Sequence, residues 1–261
     1  MFLSLLAAKM TTNNRNSILK ECALHEPCSY LSGKSQSIHY KIFHECTKEQ
    51  CESLILRGWR RFGSMYFRPI CQDCRACESL KIDVERYAFR KSDRRILRKN
   101  NHITTVIRQP TLTREHLNLF DRYHRYKHHT RNWDAPKSDP KNYYASFVQG
   151  HGDFGFEVLY FEGEKLIAVD LIDILEEGIS AVYCYYDPDY YSQSLGRYTL
   201  LQQIEFARRL GLKWIYLGYY VENCQSLAYK ADYAPSLELS GRPEEDEIPI
   251  WKEIHNENNP V

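Results

Sequence analysis

No long apolar run occurs in these 261 residues. The nearest approach, MFLSLLAAKM at the N-terminus, holds roughly seven apolar residues with no basic residue ahead of them, short for a signal peptide and far too short to span a bilayer. Met10 is as good a first residue as Met1. There is no visible internal repeat and no nucleophilic triad. His124 and His128 stand at i and i+4, but no acid lies between them as a metalloprotease motif requires, so they are read as surface histidines. Nine cysteines, an odd number at uneven spacings without a secretory signal, do not make a disulfide framework. A reducing cytosol suits them better, and it leaves the thiols free to bind metal. Disorder over most of the chain is excluded by 13% aromatic residues, twenty of them tyrosine.

The net charge of +1 conceals a polarity along the chain. Residues 1–130 carry 24 Lys and Arg against 12 acids, and residues 131–261 carry 11 against 22. A basic first half points to a polyanionic partner, and the densest part, Arg86 to Arg108, has eight basic residues and one acid. There Ser92 is placed as the N-cap of a short helix bearing Arg94, Arg95, Arg98 and Lys99, followed by a β-branched strand, HITTVI. This stretch is either a solvated basic helix or a contact with nucleic-acid phosphates.

Elsewhere the periodicity is plain. Residues 11–27 are polar and aperiodic and are read as a loose arm. LKIDVERYAF alternates at Leu80, Ile82 and Val84, the period of a half-buried strand. Residues 113–130 read as a helix with Thr113 as a cap. FEVLYF, KLIAVDLIDIL and ISAVYCYYD are three strands joined by the short turns EGEK and EEG, an antiparallel meander. SQSLGRYTLLQQIEFARRLGL then changes to helical period, with Leu200, Leu201, Ile204 and Ala207 on one face, Ser192 or Ser194 as cap and Gly211 at the end. KWIYLGYY is a further strand, and the tail from residue 241 is acidic and peripheral.

Three cysteines in RPICQDCRAC, Cys71, Cys74 and Cys77, are each three positions from the next and sit beside Arg68 and Arg75. With Cys28 they make four thiols, enough for tetrahedral zinc or an iron–sulfur cluster, or else a metal-free cysteine rim.

Three strands, a helix and another strand, with the loop Gln193-Ser194-Leu195-Gly196-Arg197-Tyr198 at the helix start, resemble the acyl-CoA-dependent N-acetyltransferase fold. The resemblance implies an α+β class with mostly antiparallel mixed sheets and flanking helices. Gln193 and Gly196 match its pyrophosphate loop. Tyr198 does not, and its bulk argues against coenzyme A as the donor.

A longer match is more specific. YCYYDPDYYSQSLGRY, LGYY and the Tyr-Lys pair before Ala231, with CSYL, GWRRFGSMYFRPICQDCRAC and FRKSDRRILRKN in the first half, resemble the bacterial aspartate/glutamate leucyltransferases, relatives of the eukaryotic arginyl-tRNA-protein transferases. RYKHHTRNWDA departs from that pattern. The resemblance implies a cytoplasmic enzyme that moves leucine from leucyl-tRNA to the N-terminal α-amine of proteins beginning with Asp or Glu, marking them for N-end rule degradation. It also implies two acetyltransferase-like halves. Arginyl-tRNA as donor, a coenzyme A-dependent acetyltransferase and a noncatalytic RNA-binding module are the competing readings.

The expected organisation is therefore an arm over 1–27, a basic cysteine-containing domain over 28–130 for acceptor and tRNA, an acetyltransferase-like domain over 131–240 and an acidic tail over 241–261. The aminoacyl ester is already activated, so the chemistry needs a positioned neutral amine and a stabilised oxyanion, and no further cofactor. Asp187 is a candidate for accepting the amine's proton, or else a cap. An acceptor carboxylate needs a cation, for which Arg60, Arg61, Arg68 and Arg75 are candidates, with Tyr30 and Tyr66 as rim donors. Arg90, Arg94, Arg95, Arg98, Lys99 and Arg197 are candidates for tRNA phosphates, Tyr219 and Tyr220 for the terminal adenine, and Lys230 for the donor.

Overall fold

The computed structural model describes residues 18–131, 133 and 139–254. The N-terminal apolar run, Met10 and residues 255–261 lie outside them. Strands β1 (Ile18–Pro27) and β2 (Ser35–Phe43), helix α1 (Lys48–Leu56), and strands β3 (Arg60–Phe62) and β4 (Met65–Pro69) come first. Their sheet is wholly antiparallel, in the order β1-β2-β4-β3. Residues 18–27, expected as part of a loose arm, are therefore an edge strand. Their alternation is blunted because most of β1 faces solvent. Helix α1 starts on a capping box, with Gln50 N donating to Thr47 Oγ1 and Thr47 N to Gln50 Oε1.

The second sheet takes strands from both halves of the chain. β5 (Glu78–Asp83), α2 (Lys91–Lys99), β6 (Thr104–Arg108) and α3 (Arg114–Arg131) precede α4 (Pro140–Tyr143), which runs into a π-helical turn over Tyr144–Val148. β7 (Gly155–Glu162), β8 (Lys165–Ile174), β9 (Gly178–Tyr186), α5 (Leu195–Arg209), β10 (Trp214–Tyr220), β11 (Ser236–Leu239) and β12 (Trp251–Glu253) follow. The order is β12-β11-β5-β10-β9-β8-β7-β6. The expected meander is β7-β8-β9, and Gly163 at φ +59° makes its first turn. β5 and β6 belong to this sheet, so the chain is not divided structurally at residue 130. Nor are the two parts equivalent, since the N-terminal sheet has four antiparallel strands and the larger has eight with one parallel contact.

Apolar side chains fill three regions. One face of the large sheet packs on α5 and the half-buried Ile96 and Leu97 of α2, the other face on α3 and α4, and α1 with β4 forms the third with Phe154, Leu175 and Tyr216. Gly63, at φ +57°, turns β3 into β4 so close to the π-helical turn that a Cβ would lie 1.9 Å from Ala145 O. Ser92 lies inside α2 rather than capping it; Asp93 instead accepts from Arg90 N at 2.9 Å. The acidic tail is strapped down. Arg57 donates to the carbonyls of Glu244, Glu245 and Glu247, Lys41 pairs with Glu245 at 2.6 Å, and β12 adds an edge strand.

Asp170 on β8 is fully enclosed, and its Oδ2 accepts from Gln203 Nε2 of α5 at 2.6 Å. Burial raises its pKa to about 7, whereas an unfolded Asp titrates at about 4. The folded carboxyl keeps its proton where the unfolded one has released it, so this group costs stability increasingly as pH rises from about 4 to 7. Asp170→Asn should raise stability at pH 8 by roughly 2–4 kcal/mol and leave it nearly unchanged at pH 4, as read by urea unfolding at both pH values.

Candidate active site

β9 and β10 run parallel but pair only from Gly178 to Ser180 against Trp214 to Tyr216. Beyond that β10 keeps β5 as partner through Tyr220, while the end of β9 has β8 alone. Gly218 sits at the parting, at φ +73° beside a register shift, in a strand whose other residues are bulky. The carbonyls freed by the divergence need donors. Arg60 of β3 enters the gap, donating through Nη2 to Ala181 O and through Nη1 to Ser180 Oγ at 3.2 Å. A Cβ on Gly218 would lie 2.6 Å from Arg60 Nε, so glycine is what admits the guanidinium. On the other edge Lys230 Nζ donates to Tyr219 O at 2.7 Å.

The four expected acceptor arginines separate here. Arg61 is buried and doubly bonded to the carboxylate of Asp173, through Nε at 2.9 Å and through Nη2. Arg68 is buried and committed to the tail, to Pro243 O at 2.9 Å and Glu244 Oε1 at 2.5 Å. Arg75 is exposed and donates to Cys71 O at 3.1 Å. Arg60 is buried with no carboxylate bonded to it among the described residues, and Lys230 likewise has none. Burial lowers the pKa of both, and the Arg60 charge adds to the effect on Lys230, taking it down to about 7. Tyr30 is half-buried near Arg60, its phenol pushed up to about 12 chiefly by desolvation and then by Cys77 and Cys224. Tyr66 is wholly buried edge-on against Phe43 and is a core residue instead of a rim donor.

Several other expectations are corrected by packing. Tyr219 points inward, its hydroxyl donating to Gly58 O at 2.9 Å and Phe67 O at 3.2 Å, so it cannot stack on a base; Tyr220 stays half-buried. Asp187 is fully buried and gripped by Arg122 at 2.7 and 3.1 Å and by Lys165 at 2.9 Å, while it accepts from Asp189 N. It is the cap, not an available base. Arg197 is bonded twice to Asp93, at 2.8 and 3.2 Å, and ties α5 to α2. Arg90 reaches Asp232 O at 2.5 Å, and Lys99 reaches Ser192 O at 2.7 Å. Arg94, Arg95 and Arg98 remain exposed on one face of α2. Tyr198 is turned into the core, its hydroxyl on Asn100 O at 3.3 Å, while a Cβ on Gly196 would meet the Tyr186 ring at 2.9 Å. Gln193 is half-buried, with its own carbonyl accepting from Asn100 Nδ2 at 2.9 Å.

The β9 side of the gap is aromatic. His124 is not a surface residue: burial lowers its pKa, its Nδ1 bonds Phe120 O, and its Nε2 accepts from Tyr183 OH at 2.8 Å. Lys127 Nζ lies 5.1 to 6.0 Å from the ring centres of Tyr123, Tyr126, Trp133 and Tyr186. Trp133 Nε1 donates to Ser226 Oγ at 3.3 Å, tying the end of α3 to the segment that carries Lys230. Lys127, Ser180 and Cys224 were missed in the sequence. Gly218 inside a strand was the one local signal for this place.

Cys28, Cys71, Cys74 and Cys77 do line one cavity with Tyr30 and Arg242. Arg242 bonds the carbonyls of Cys71 and Cys74 at 3.1 Å each, and Cys71 Sγ accepts from Ser37 N at 3.4 Å. Burial, and then Cys28, Cys71 and Cys74, push the Cys77 thiol up to about 12. Yet among the described residues no three His, Cys, Asp or Glu side chains stand where they could hold one metal ion. The thiols as arranged do not fit zinc or a cluster. No described helix is long and apolar enough to cross a membrane.

Family models place the chain directly. The C-terminal model of arginine-tRNA-protein transferases matches residues 115–240 and the N-terminal model residues 26–95. An aspartate/glutamate leucyltransferase of Campylobacter jejuni is 47% identical over 88% of this chain and 97% of its own length. The chain belongs to the aspartate/glutamate leucyltransferase family. Other members are more distant, one from Helicobacter hepaticus at 37% identity over 88% of this chain and 95% of its own, and one from Pseudomonas aeruginosa at 34% over 80% and 88%. FemX, a solved structure, aligns with 77% of this chain and 80% of its own at TM-score 0.43 and 8% identity, too remote to add to the assignment.

Both models cover this gap, since Arg60 lies within the N-terminal one and Lys230 within the C-terminal one. The candidate site thus draws on two sequence regions joined by one buried guanidinium. Arg61→Met should cost about 3–5 kcal/mol in thermal or chemical unfolding, because it strands the buried Asp173 carboxylate. Arg60→Met strands no carboxylate and should cost less.

Proposed function

We propose that this protein transfers leucine from leucyl-tRNA to the α-amine of proteins whose N-terminal residue is Asp or Glu, in the cytoplasm, as a mark for N-end rule degradation. The observation that carries the proposal is the pair Arg60, buried, and Lys230, half-buried, two basic side chains beside Gly218 and Tyr219 with no carboxylate bonded to either among the described residues. Burying unpaired charge costs several kcal/mol per ion, a cost that a carboxylate arriving with the substrate offsets. An acceptor's Asp or Glu side chain is such a carboxylate, and Arg60 can meet it with its planar fork. Tyr30 stands beside the same gap as a hydroxyl donor.

The β9 side suits leucine. Its described lining is aromatic, with a resident lysine and a neutral histidine, and the carboxyl of Asp170 is turned away to Gln203 on α5. An arginyl side chain would meet Lys127 without a counter-charge, whereas an apolar side chain needs none. Arg94, Arg95 and Arg98 form the exposed basic face offered to tRNA phosphates, and Tyr220 is the remaining aromatic for its terminal base. The ester is already activated, so positioning of amine and carbonyl supplies most of the rate. A zinc ion or cluster on the four thiols would require their loop to rearrange.

Labelled leucyl-tRNA and arginyl-tRNA, each with peptides beginning Asp, Glu, Lys or Ala, test the assignment. Label should pass from leucyl-tRNA to the Asp and Glu peptides alone; transfer to all four, or to none, refutes it. Arg60→Met should cut the preference for Asp over Ala peptides roughly tenfold to a hundredfold, the worth of a charge-assisted hydrogen bond. Ratios of kcat/KM give that number.

A further inference from the structure

The transfer needs a neutral amine, yet an N-terminal α-amine has a pKa of about 8 and is mostly protonated at neutral pH. Asp187, the candidate for taking that proton, is engaged, and so is His124. Asp187 is bound by two cations, and the lone pair of His124 accepts from Tyr183.

Lys230 is placed differently. Its Nζ makes one described hydrogen bond, to Tyr219 O at 2.7 Å. Arg60 of β3 acts on it from one side and Cys224, on the loop after β10, from another. Tyr30 of the β1–β2 turn lies near Arg60, and the Tyr219 hydroxyl is turned away to Gly58 and Phe67. No carboxylate faces it among the described residues. Two basic groups this close compete for charge, since Asp173 acts on Arg60 but no carboxylate acts on Lys230 among the described residues, and a guanidinium does not give up its proton. The amine of Lys230 therefore holds its proton weakly, with a pKa of about 7.

We propose that Lys230 is the base that deprotonates the acceptor's α-ammonium, and that the acceptor's own side-chain carboxylate is what makes it basic. This rests on the acceptor site assigned above. In the free enzyme near pH 7 Lys230 is divided between its neutral and its charged form. When the acceptor carboxylate settles against Arg60, its negative charge restores the affinity of Nζ for a proton. One proton passes from the α-ammonium nitrogen to Nζ, leaving a neutral amine beside a lysine ammonium paired with the carboxylate. The amine lone pair attacks the leucyl ester carbonyl, the C–N bond forms, and the C–O bond to the ribose breaks. The ribose oxygen leaves with the proton shed by the attacking nitrogen, and Lys230 returns its proton to solvent as the product departs. A peptide without the carboxylate leaves Lys230 a weak base. Selection for acidic N-termini then shows in kcat as well as in KM.

The test is leucine transfer between pH 6 and 9.5 by the full chain, with wild type, Lys230→Arg and Lys230→Met. Melting temperature and tRNA binding report whether each variant is folded. Lys230→Arg supplies a fixed charge but no base. Its KM for an Asp peptide should stay within about threefold of wild type while kcat at pH 7 falls roughly tenfold to a hundredfold, recovering about tenfold per pH unit until the peptide amine titrates. A raised KM with wild-type kcat at every pH would make Lys230 a carboxylate ligand only, and a uniform loss with an unchanged pH profile would make it structural; either overturns the proposal. Wild type gives a second reading that no misfolded variant can obscure: kcat for an Asn peptide should rise with pH up to about 8, while that for the matched Asp peptide stays nearly level. Identical profiles for the two peptides also overturn it. If wild type transfers no leucine at all, the acceptor assignment itself fails, whereas active enzyme with indifferent variants refutes this step alone.

Discussion

Where β9 and β10 part, carbonyls inside the protein lose the amide partners that a continuous parallel pair would give them. A buried carbonyl without a donor costs about 1–3 kcal/mol, so the split persists only because something else donates. Arg60 and Lys230 do so, one from each side, and the rest of the molecule is arranged to bring them there. β3 carries Arg60 from a separate sheet, Gly218 leaves room for its guanidinium, and the turn over Ala228–Asp232 returns Lys230 to the strand that precedes it. A repair of backbone hydrogen bonding thereby brings two basic side chains together at the parting of the strands.

Charge pairing sets the tethering arginines apart from Arg60. Arg61, Arg68, Arg122 and Arg197 each meet a carboxylate, and through those pairs they join sheet to sheet, tail to sheet and helix to helix. Arg60 bonds only neutral oxygens. The same contrast holds on the opposite side, where Lys127 rests among rings and His124 is fixed as a neutral acceptor. An acidic acceptor and an uncharged donor side chain are the ligands that such surroundings favour.

Strand and helix periods were legible because each element had only one face or one layer to satisfy. The meander β7-β8-β9, α5 with its glycine stop and β10 all stand where their patterns put them. β1 was missed because an edge strand in solvent carries no alternation. The structural role of the acidic tail was missed because its partners, Lys41, Arg57 and Arg68, lie about two hundred residues away. Among site residues, Arg60 and Lys230 were both named, but as members of a cluster and of a different subsite. Nothing local distinguishes Arg60 from Arg61. They alternate on β3, and the side of the strand decides that one reaches Asp173 and the other Ala181.

The sequence by itself determined most of the secondary structure, the basic first half, the gathering of cysteines and the family, since these are written in neighbouring residues or in motifs. Tertiary structure alone decided which cations are spent on carboxylates and which are left over, that Tyr219 and Tyr66 are core, that Asp187 is a cap, and that the four thiols share a cavity without a metal geometry. Those outcomes depend on partners distant in the chain, and on whether a charged group enclosed by folding has an opposite charge in reach.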